Sequence, residues 1–398
     1  MAISPTDSLP PTSTPVPMLD VNRQNAPLQA EIDEAIAEVC QSGAFVQGPV
    51  CRLFEEAVAA YCGTQHAVGC ASGSDALLLA LMVLGVGPGD EVILPSFTFF
   101  ATASSVWRLG GKPVFADIVP GTFNLDPADV ARKITSATKA IIPVHLFGQC
   151  VEMQALKAVA DQAGKLPIVE DAAQAIGAEY QDRRAGSLGT LGCFSFYPTK
   201  NLGGFGDGGI LTTDNDQTAA SLRTLRDHGQ HPRYHHSVVG VNSRLDALQA
   251  AVLNVKLPRL DQWAARREQN AQRYEEAFAR LGLDEKLGVP QVAEGCRSVW
   301  NQYTIRVSDG RRDELQQCLA SKQIGSAVYY PIPLHLQPCF ASLGYQRGSL
   351  PATEQAAAEV LSLPVFAELS PHEHDRVVQT VAQFFSVANA SDGTHRAA

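Results

Sequence analysis

Residues 167–214 (PIVEDAAQAIGAEYQDRRAGSLGTLGCFSFYPTKNLGGFGDGGILTTD) constrain the chain more than any other stretch. The segment opens on a short apolar run, Pro167-Ile168-Val169, that ends in two carboxylates, Glu170 and Asp171, with Gln174 just beyond. Polar groups at the end of a buried strand are where open α/β sheets place ligand contacts. A second strand-like run over residues 191–197 delivers Pro198-Thr199-Lys200 into a glycine cluster at Gly203, Gly204, Gly206, Gly208 and Gly209.

A lysine set among aromatics and glycines, downstream of a strand-end aspartate, points to pyridoxal 5'-phosphate (PLP). That cofactor binds a lysine amine through its aldehyde, and its ring nitrogen needs a carboxylate partner to stay protonated and draw electrons. Partial desolvation would lower the lysine pKa and supply a free amine for attack and proton transfer. The glycines let backbone pass close to a cofactor.

The rest of the chain alternates strand and helix signals. Residues 28–41 carry Ile32, Ile36 and Val39 at helical spacing, and residues 54–61 read as a second helix after the Gly48-Pro49 break. A short strand at residues 66–70 runs through Ala71-Ser72-Gly73-Ser74-Asp75 into an apolar helix over residues 76–84. Free N–H groups at such a helix start can hold a phosphate, although Ser and Asp are also ordinary helix caps. The next strand, residues 91–95, ends in Ser96-Phe97-Thr98-Phe99-Phe100, where an aromatic could stack on a flat ring while the others fill the core. A helix over residues 101–109 and strands over residues 113–118 and 140–146 follow, and Asp126-Pro127 caps the helix between those strands. His145 reads as a satisfied structural histidine rather than a site residue. After a helix over residues 153–164, the pattern implies a mainly parallel sheet covered by helices on both faces.

Beyond Asp214 come a helix at residues 217–226, the polar loop 228–236 (HGQHPRYHH), a helix at residues 246–255 and a long amphipathic helix at residues 258–281. The loop lacks carboxylate partners for a metal. Arg266, Arg267 and Arg273 on the long helix alternate with Glu268, Glu275 and Glu276, which reads as a solvated face. Strands at residues 299–307 and 325–330 flank a helix at residues 312–322, before the proline-stiffened Tyr330-Pro331-Ile332-Pro333-Leu334-His335.

The motifs VEDAAQAIGAEY, FSFYPTKNLGGFGDGG, SGSDALLLAL, PSFTFFATA, GVNSRLDALQAAVL and YYPIPLHLQP resemble, in order, those of the DegT/StrS-type nucleotide-sugar aminotransferases, which are fold-type I PLP enzymes. The resemblance spans residues 44–364. It implies an α/β fold with a seven-stranded, mainly parallel sheet in a large domain and a smaller C-terminal α/β domain. The division it suggests is a flexible leader (1–16), a large domain (17–256), a small domain (257–388) and a flexible tail (389–398).

The resemblance also assigns roles. Lys200 is the catalytic lysine, Asp171 faces the pyridine nitrogen, Gln174 bonds the ring hydroxyl and Phe99 covers the ring. Gly73, Ser74 and Ser195, with Asn242 from the second subunit of a homodimer, hold the phosphate. Tyr330, His335 and His235 lie near the sugar. Relatives that act as dehydratases carry histidine in place of the lysine, so Lys200 favours transamination. L-glutamate is the expected donor, and a nucleotide-linked keto sugar, most similar to those aminated at C3, is the expected acceptor. C4 amination and a regulatory PLP-binding protein without turnover are the alternatives.

Composition agrees with an enzyme of two domains: 398 residues, 45% apolar and 18% charged. A net charge of −10 without a Lys/Arg-rich run argues against a nucleic-acid surface. Nine cysteines without CxxC pairs suggest neither a disulfide framework nor a metal site, and fit a reducing cytoplasm. The first residues lack the basic start and apolar centre of a signal peptide. The longest apolar run, residues 76–87, is shorter than the roughly 20 residues needed to cross a bilayer.

Overall fold

The computed structural model describes residues 14–284 and 286–395, with side chains described through residue 386. Seven strands form the central sheet: β1 (His66–Cys70), β2 (Glu91–Pro95), β3 (Lys112–Ala116), β4 (Thr138–Ile141), β5 (Val169–Asp171), β6 (Leu191–Ser195) and β7 (Gly209–Thr213). Two ladders, β3-β2-β4 and β5-β6-β7-β1, are joined by parallel bridges Ile141–Ile168 and Val144–Asp171. Only β7 runs against its neighbours, so the sheet is mainly parallel. The strands are almost entirely buried on both faces, as helix-covered parallel strands must be.

Helix starts follow local sequence. Asp126 accepts the Ala128 N–H at 2.9 Å with Pro127 at the first helical position, as expected from the dipeptide. The helix after β1 begins earlier than expected, spanning Gly73–Val83, because Ser72 is its N-cap. Beyond β4, the run expected to stay extended to residue 146 leaves the strand at Ile141 and tightens into a 3-10 turn, Leu146–Gly148.

The small domain has a three-stranded antiparallel sheet, β8 (Leu287–Gly288), β9 (Tyr303–Val307) and β10 (Val360–Leu363), in the order β8-β9-β10. Helices Leu260–Arg280, Arg312–Ser321 and Pro371–His395 pack around it over a core containing Tyr274, Phe278, Tyr303 and Phe366. Two expected strands change here. Residues 299–302 stay outside β9, with Trp300 at φ 49°, and residues 325–330 make only a bridge from Ala327 to Ser362. Arg267 is buried rather than part of a solvated face; its Nη1 donates to the Trp300 carbonyl at 3.1 Å.

The first described residues pack against the small domain. Residues 1–13 of the expected leader lie outside the described residues, but Val16 is buried, pairing in parallel with Ile324. Arg23 forms two 2.9 Å hydrogen bonds with the Glu373 carboxylate, so the chain meets the small domain before entering the large one. At the other end, helix Pro371–His395 continues through the segment expected to be a flexible tail; residues 396–398 lie outside the described ones.

Candidate active site

Strands β1, β2, β5 and β6 are mutually parallel, so their carboxyl ends share one edge of the sheet, where open α/β folds bind ligands. The turn after β1 is made by close packing. A Cβ on Gly73 would stand 2.6 Å from Ser195 Cβ, and one on Gly209 would stand 2.4 Å from the Ser72 carbonyl. The helix start, the end of β6 and the start of β7 therefore meet with backbone against backbone. Ser72 Oγ accepts the Asp75 N–H at 3.1 Å, placing Gly73 and Ser74 in the first helical turn beside Ser195. Asp75 in turn accepts from Ser243 Oγ at 2.8 Å, which holds the neighbouring loop; Asn242, next in that loop, is exposed.

Asp171 ends β5 and is buried. Burial pushes its carboxyl above the ordinary carboxylate range, opposed by the Thr102 hydroxyl donating at 2.7 Å, the Ala173 N–H at 3.3 Å and the charge of Lys200. These contacts keep the carboxylate aimed beside the charge of Lys200. Lys200 follows β6 in a turn closed by its own N–H to the Tyr197 carbonyl, 2.8 Å. Burial lowers its ammonium to about 8, with Asp171 opposing the shift. At neutral pH roughly one amine in ten is then free, against fewer than one in a thousand for an unperturbed lysine.

Gln174 lies beyond Asp171. Its Oε1 accepts the Phe147 N–H at 2.7 Å, and its Nε2 donates to the Tyr330 hydroxyl at 3.2 Å. Tyr330 packs 6.2 Å from Phe99 between ring centroids. Of the three phenylalanines after β2, Phe97 is core at 1% exposure, whereas Phe99 is 58% exposed and offers a ring face. The adjoining Glu170 points into the protein. It accepts from the N–H groups of Gly186, Leu188 and Gly189 and from His145 Nε2 at 2.9 Å. Since His145 Nδ1 accepts the Val151 N–H, this histidine is a satisfied structural one, as its sequence position suggested.

Two expected sugar contacts are placed differently from the rest. His335 is buried at 2% exposure with both ring nitrogens engaged, Nδ1 by Ser96 Oγ at 2.7 Å and Nε2 by Glu354 at 3.2 Å. It anchors the proline loop to the end of β2 instead of offering a free nitrogen. His235 does not line the roughly 710 Å³ cavity beside its loop; His228, His231, His236, Arg233 and Arg244 do. Thr102, the donor to Asp171, went unnoticed in sequence, although its place one helical turn after Phe99 in TFFAT could have suggested it. Among the described residues no His/Cys/Asp/Glu cluster could hold a metal, and no helix is long and apolar enough to cross a membrane.

The chain is similar to known proteins over nearly its whole length. Residues 27–382 match the DegT/DnrJ/EryC1/StrS aminotransferase family model. A pleiotropic regulatory protein of Geobacillus stearothermophilus is 50% identical over 93% of this chain and 98% of its own. The dTDP-3-amino-3,4,6-trideoxy-alpha-D-glucose transaminase of Streptomyces venezuelae is 45% identical, covering 93% and 96%. The UDP-2-acetamido-2-deoxy-3-oxo-D-glucuronate aminotransferase of Pseudomonas aeruginosa is 43% identical, covering 88% and 95%. The crystal structure of S. venezuelae DesV, in complex with a ketimine intermediate, superposes with a TM-score of 0.90 at 45% identity, covering 94% of this chain and 99% of that one. The chain belongs to the DegT/DnrJ/EryC1/StrS aminotransferase family.

Proposed function

We propose that this protein is a PLP-dependent transaminase that delivers an amino group from L-glutamate to the C3 keto carbon of a dTDP- or UDP-linked sugar, for amino-sugar or polysaccharide biosynthesis. One observation carries the reading: a lysine whose pKa burial lowers to about 8 stands within electrostatic reach of the buried Asp171 carboxylate, which Thr102 and Ala173 hold in place. The first turn of helix Gly73–Val83, packed beside Ser195, turns free N–H groups toward the sheet edge and suits a phosphate. The residues therefore suit PLP, which when bound supplies the electron sink that makes a proton on the donor's α-carbon removable.

Each side chain then has a task. Asp171, fixed by Thr102, keeps the pyridine nitrogen protonated. Gln174, whose oxygen is occupied by Phe147, presents its remaining N–H to the ring hydroxyl. Phe99, exposed beside Tyr330, would cover the ring. Gly73, Ser74 and Ser195 bind the phosphate, with Asn242 of a second copy in a homodimer completing the set. Lys200 takes the proton from the donor's α-carbon and later returns one at C3 of the sugar. Tyr330 borders the sugar, and His335 fixes the loop that carries it. The His235 loop, with its basic cavity, receives the nucleotide-bearing part of the acceptor, a handle remote from the chemistry. Nine free cysteines accord with a cytoplasmic setting.

The 50% identity to a protein named as a pleiotropic regulator favours one second reading, binding of PLP without turnover. Incubating the holoenzyme with L-glutamate and either UDP-N-acetyl-3-oxo-glucuronate or a dTDP-3-keto-6-deoxyhexose separates the two. We expect an amino sugar by mass spectrometry, formed at least ~100-fold faster than from the 4-keto isomers, a difference of about 2.7 kcal/mol. Faster use of the 4-keto sugars would move the site of amination to C4. No amine and no 2-oxoglutarate from any acceptor would favour the regulator.

A further inference from the structure

The residue after Lys200 is an asparagine with no room to be casual. Asn201 is 2% exposed; its Nδ2 donates to the Val299 carbonyl at 2.8 Å, and its Oδ1 accepts from Asn301 Nδ2 at 2.9 Å. Both partners lie in residues 299–301, the segment that enters the small domain just ahead of β9. The same segment grips the large domain at a second place. The Val299 N–H donates to the Gly148 carbonyl and the Asn301 N–H to the Phe147 carbonyl, each at 2.9 Å. Phe147 is the residue whose own N–H fixes Gln174. From the small-domain side, buried Arg267 donates to the Trp300 carbonyl. Three consecutive residues thus hold Lys200's neighbour, Gln174's partner and the long helix together.

The other flank of the lysine turn is pinned independently. Lys256 Nζ donates to the Gly203 carbonyl at 2.6 Å, and a Cβ on Gly203 would fall 2.3 Å from the Pro198 carbonyl oxygen. With Gly203 fixed, the remaining freedom of the turn lies at residues 199–201, where Asn201 is the clamp. The clamp is imperfect as a purely stabilising device, because buried Asn301 Oδ1 has no hydrogen-bond partner among the described residues. A buried unsatisfied acceptor lowers stability, and such groups call for another reason to be kept.

We infer that Asn201 and Asn301 are a positioning pair that sets where the Lys200 amine stands relative to Asp171 and ties that placement to the small-domain connector. The inference rests on the reading of Lys200 as the reactive amine. It concerns how this chain holds that amine, and neither asparagine touches the reacting atoms.

Asn201→Ala and Asn301→Ala test it, each removing the side-chain bond from one end. In full-length protein freed of cofactor, competitive acetylation of Lys200 followed by mass spectrometry gives the pH midpoint of that amine directly. Wild type should titrate near 8. Both variants should move upward by at least about one pH unit as the turn relaxes toward solvent. In holoenzyme of equal PLP content, the glutamate half-reaction should slow about 10-fold with KM for glutamate unchanged. The double variant should be no slower than the worse single one, because both changes break one contact. Variants that melt earlier but keep the wild-type Lys200 midpoint and rate would overturn the inference and leave a structural role only. Should Asn201→Ala fail to fold, Asn301→Ala, which keeps the Val299 contact, decides alone. Borohydride reduction with PLP that leaves residue 200 of the wild type unlabelled would instead contradict the reading of Lys200 itself.

Discussion

Lys200→Ala abolishes amino transfer: we expect a loss of at least about 10⁴-fold in turnover, with the protein folded and still able to bind PLP. The size follows from what the side chain does. General acid–base transfer by a placed amine accounts for roughly 10²–10⁴ by itself, and loss of the covalent anchor adds to it. Folding should survive because no described hydrogen bond uses Lys200 Nζ, while the turn keeps its Lys200 N–H to Tyr197 carbonyl bond, the Asn201 contacts and the Lys256 grip on Gly203. Removing a buried amine whose protonated form is disfavoured by desolvation should even be mildly stabilising. Reduction with borohydride in the presence of PLP should label wild type at residue 200 and leave the variant unlabelled. Transfer at the wild-type rate by Lys200→Ala would remove the lysine from the mechanism.

Asp171→Asn has the second-largest effect, a decrease of about 10²–10³ in the glutamate half-reaction, or about 2.7–4 kcal/mol of lost electrostatic stabilisation. The substitution keeps the shape and leaves an oxygen to accept the Thr102 hydroxyl. It removes the one buried charge that can hold a ring nitrogen protonated. A second consequence is separable from the first. Asp171 raises the Lys200 pKa against burial, so the neutral amide should let that pKa fall further below about 8. Measured without cofactor, the amine midpoint should drop, opposite in direction to the shift expected for Asn201→Ala. Unchanged half-reaction rate together with an unchanged midpoint would show that Asp171 faces neither the cofactor nor the lysine.

Sequence carried the chemistry of the site further than its supports. Asp171 and Lys200 stood out in the residues themselves, one at the end of a short apolar run and the other in a glycine-rich turn, whereas Gly73 and Ser195 were named only by the family resemblance. The sheet was legible as one buried run after another separated by capped helices. Strand β7 was harder to see. Gly209-Ile-Leu-Thr-Thr emerges directly from the glycine cluster, and its reversed direction depends on a return path that local pattern does not encode. Residues 325–330 carry strand-forming side chains, yet pair with β10 at Ala327 alone, a tertiary outcome overriding propensity.

The supporting residues failed to stand out because their partners are remote. Asn201 and Asn301 are separated by the whole long helix, and as isolated letters they read as loop residues. The family resemblance put His335 near the sugar, while its proline-stiffened loop by itself read as structural; Ser96 and Glu354, which engage its ring, come from two distant elements. Arg267 followed the charge pattern of its helix face but points to the domain junction, where burial depresses its guanidinium to about 10 and its Nη1 donates to the Trp300 carbonyl. Periodicity assigns a face, and only packing says what that face meets.

The most direct test of the account is the visible absorbance spectrum of the purified holoenzyme before and after L-glutamate is added with no sugar present. The account predicts a band from PLP bound through Lys200 that disappears on addition, with one 2-oxoglutarate released per site. A protein that shows no such band even when supplied with PLP would contradict the cofactor assignment and the roles built on it.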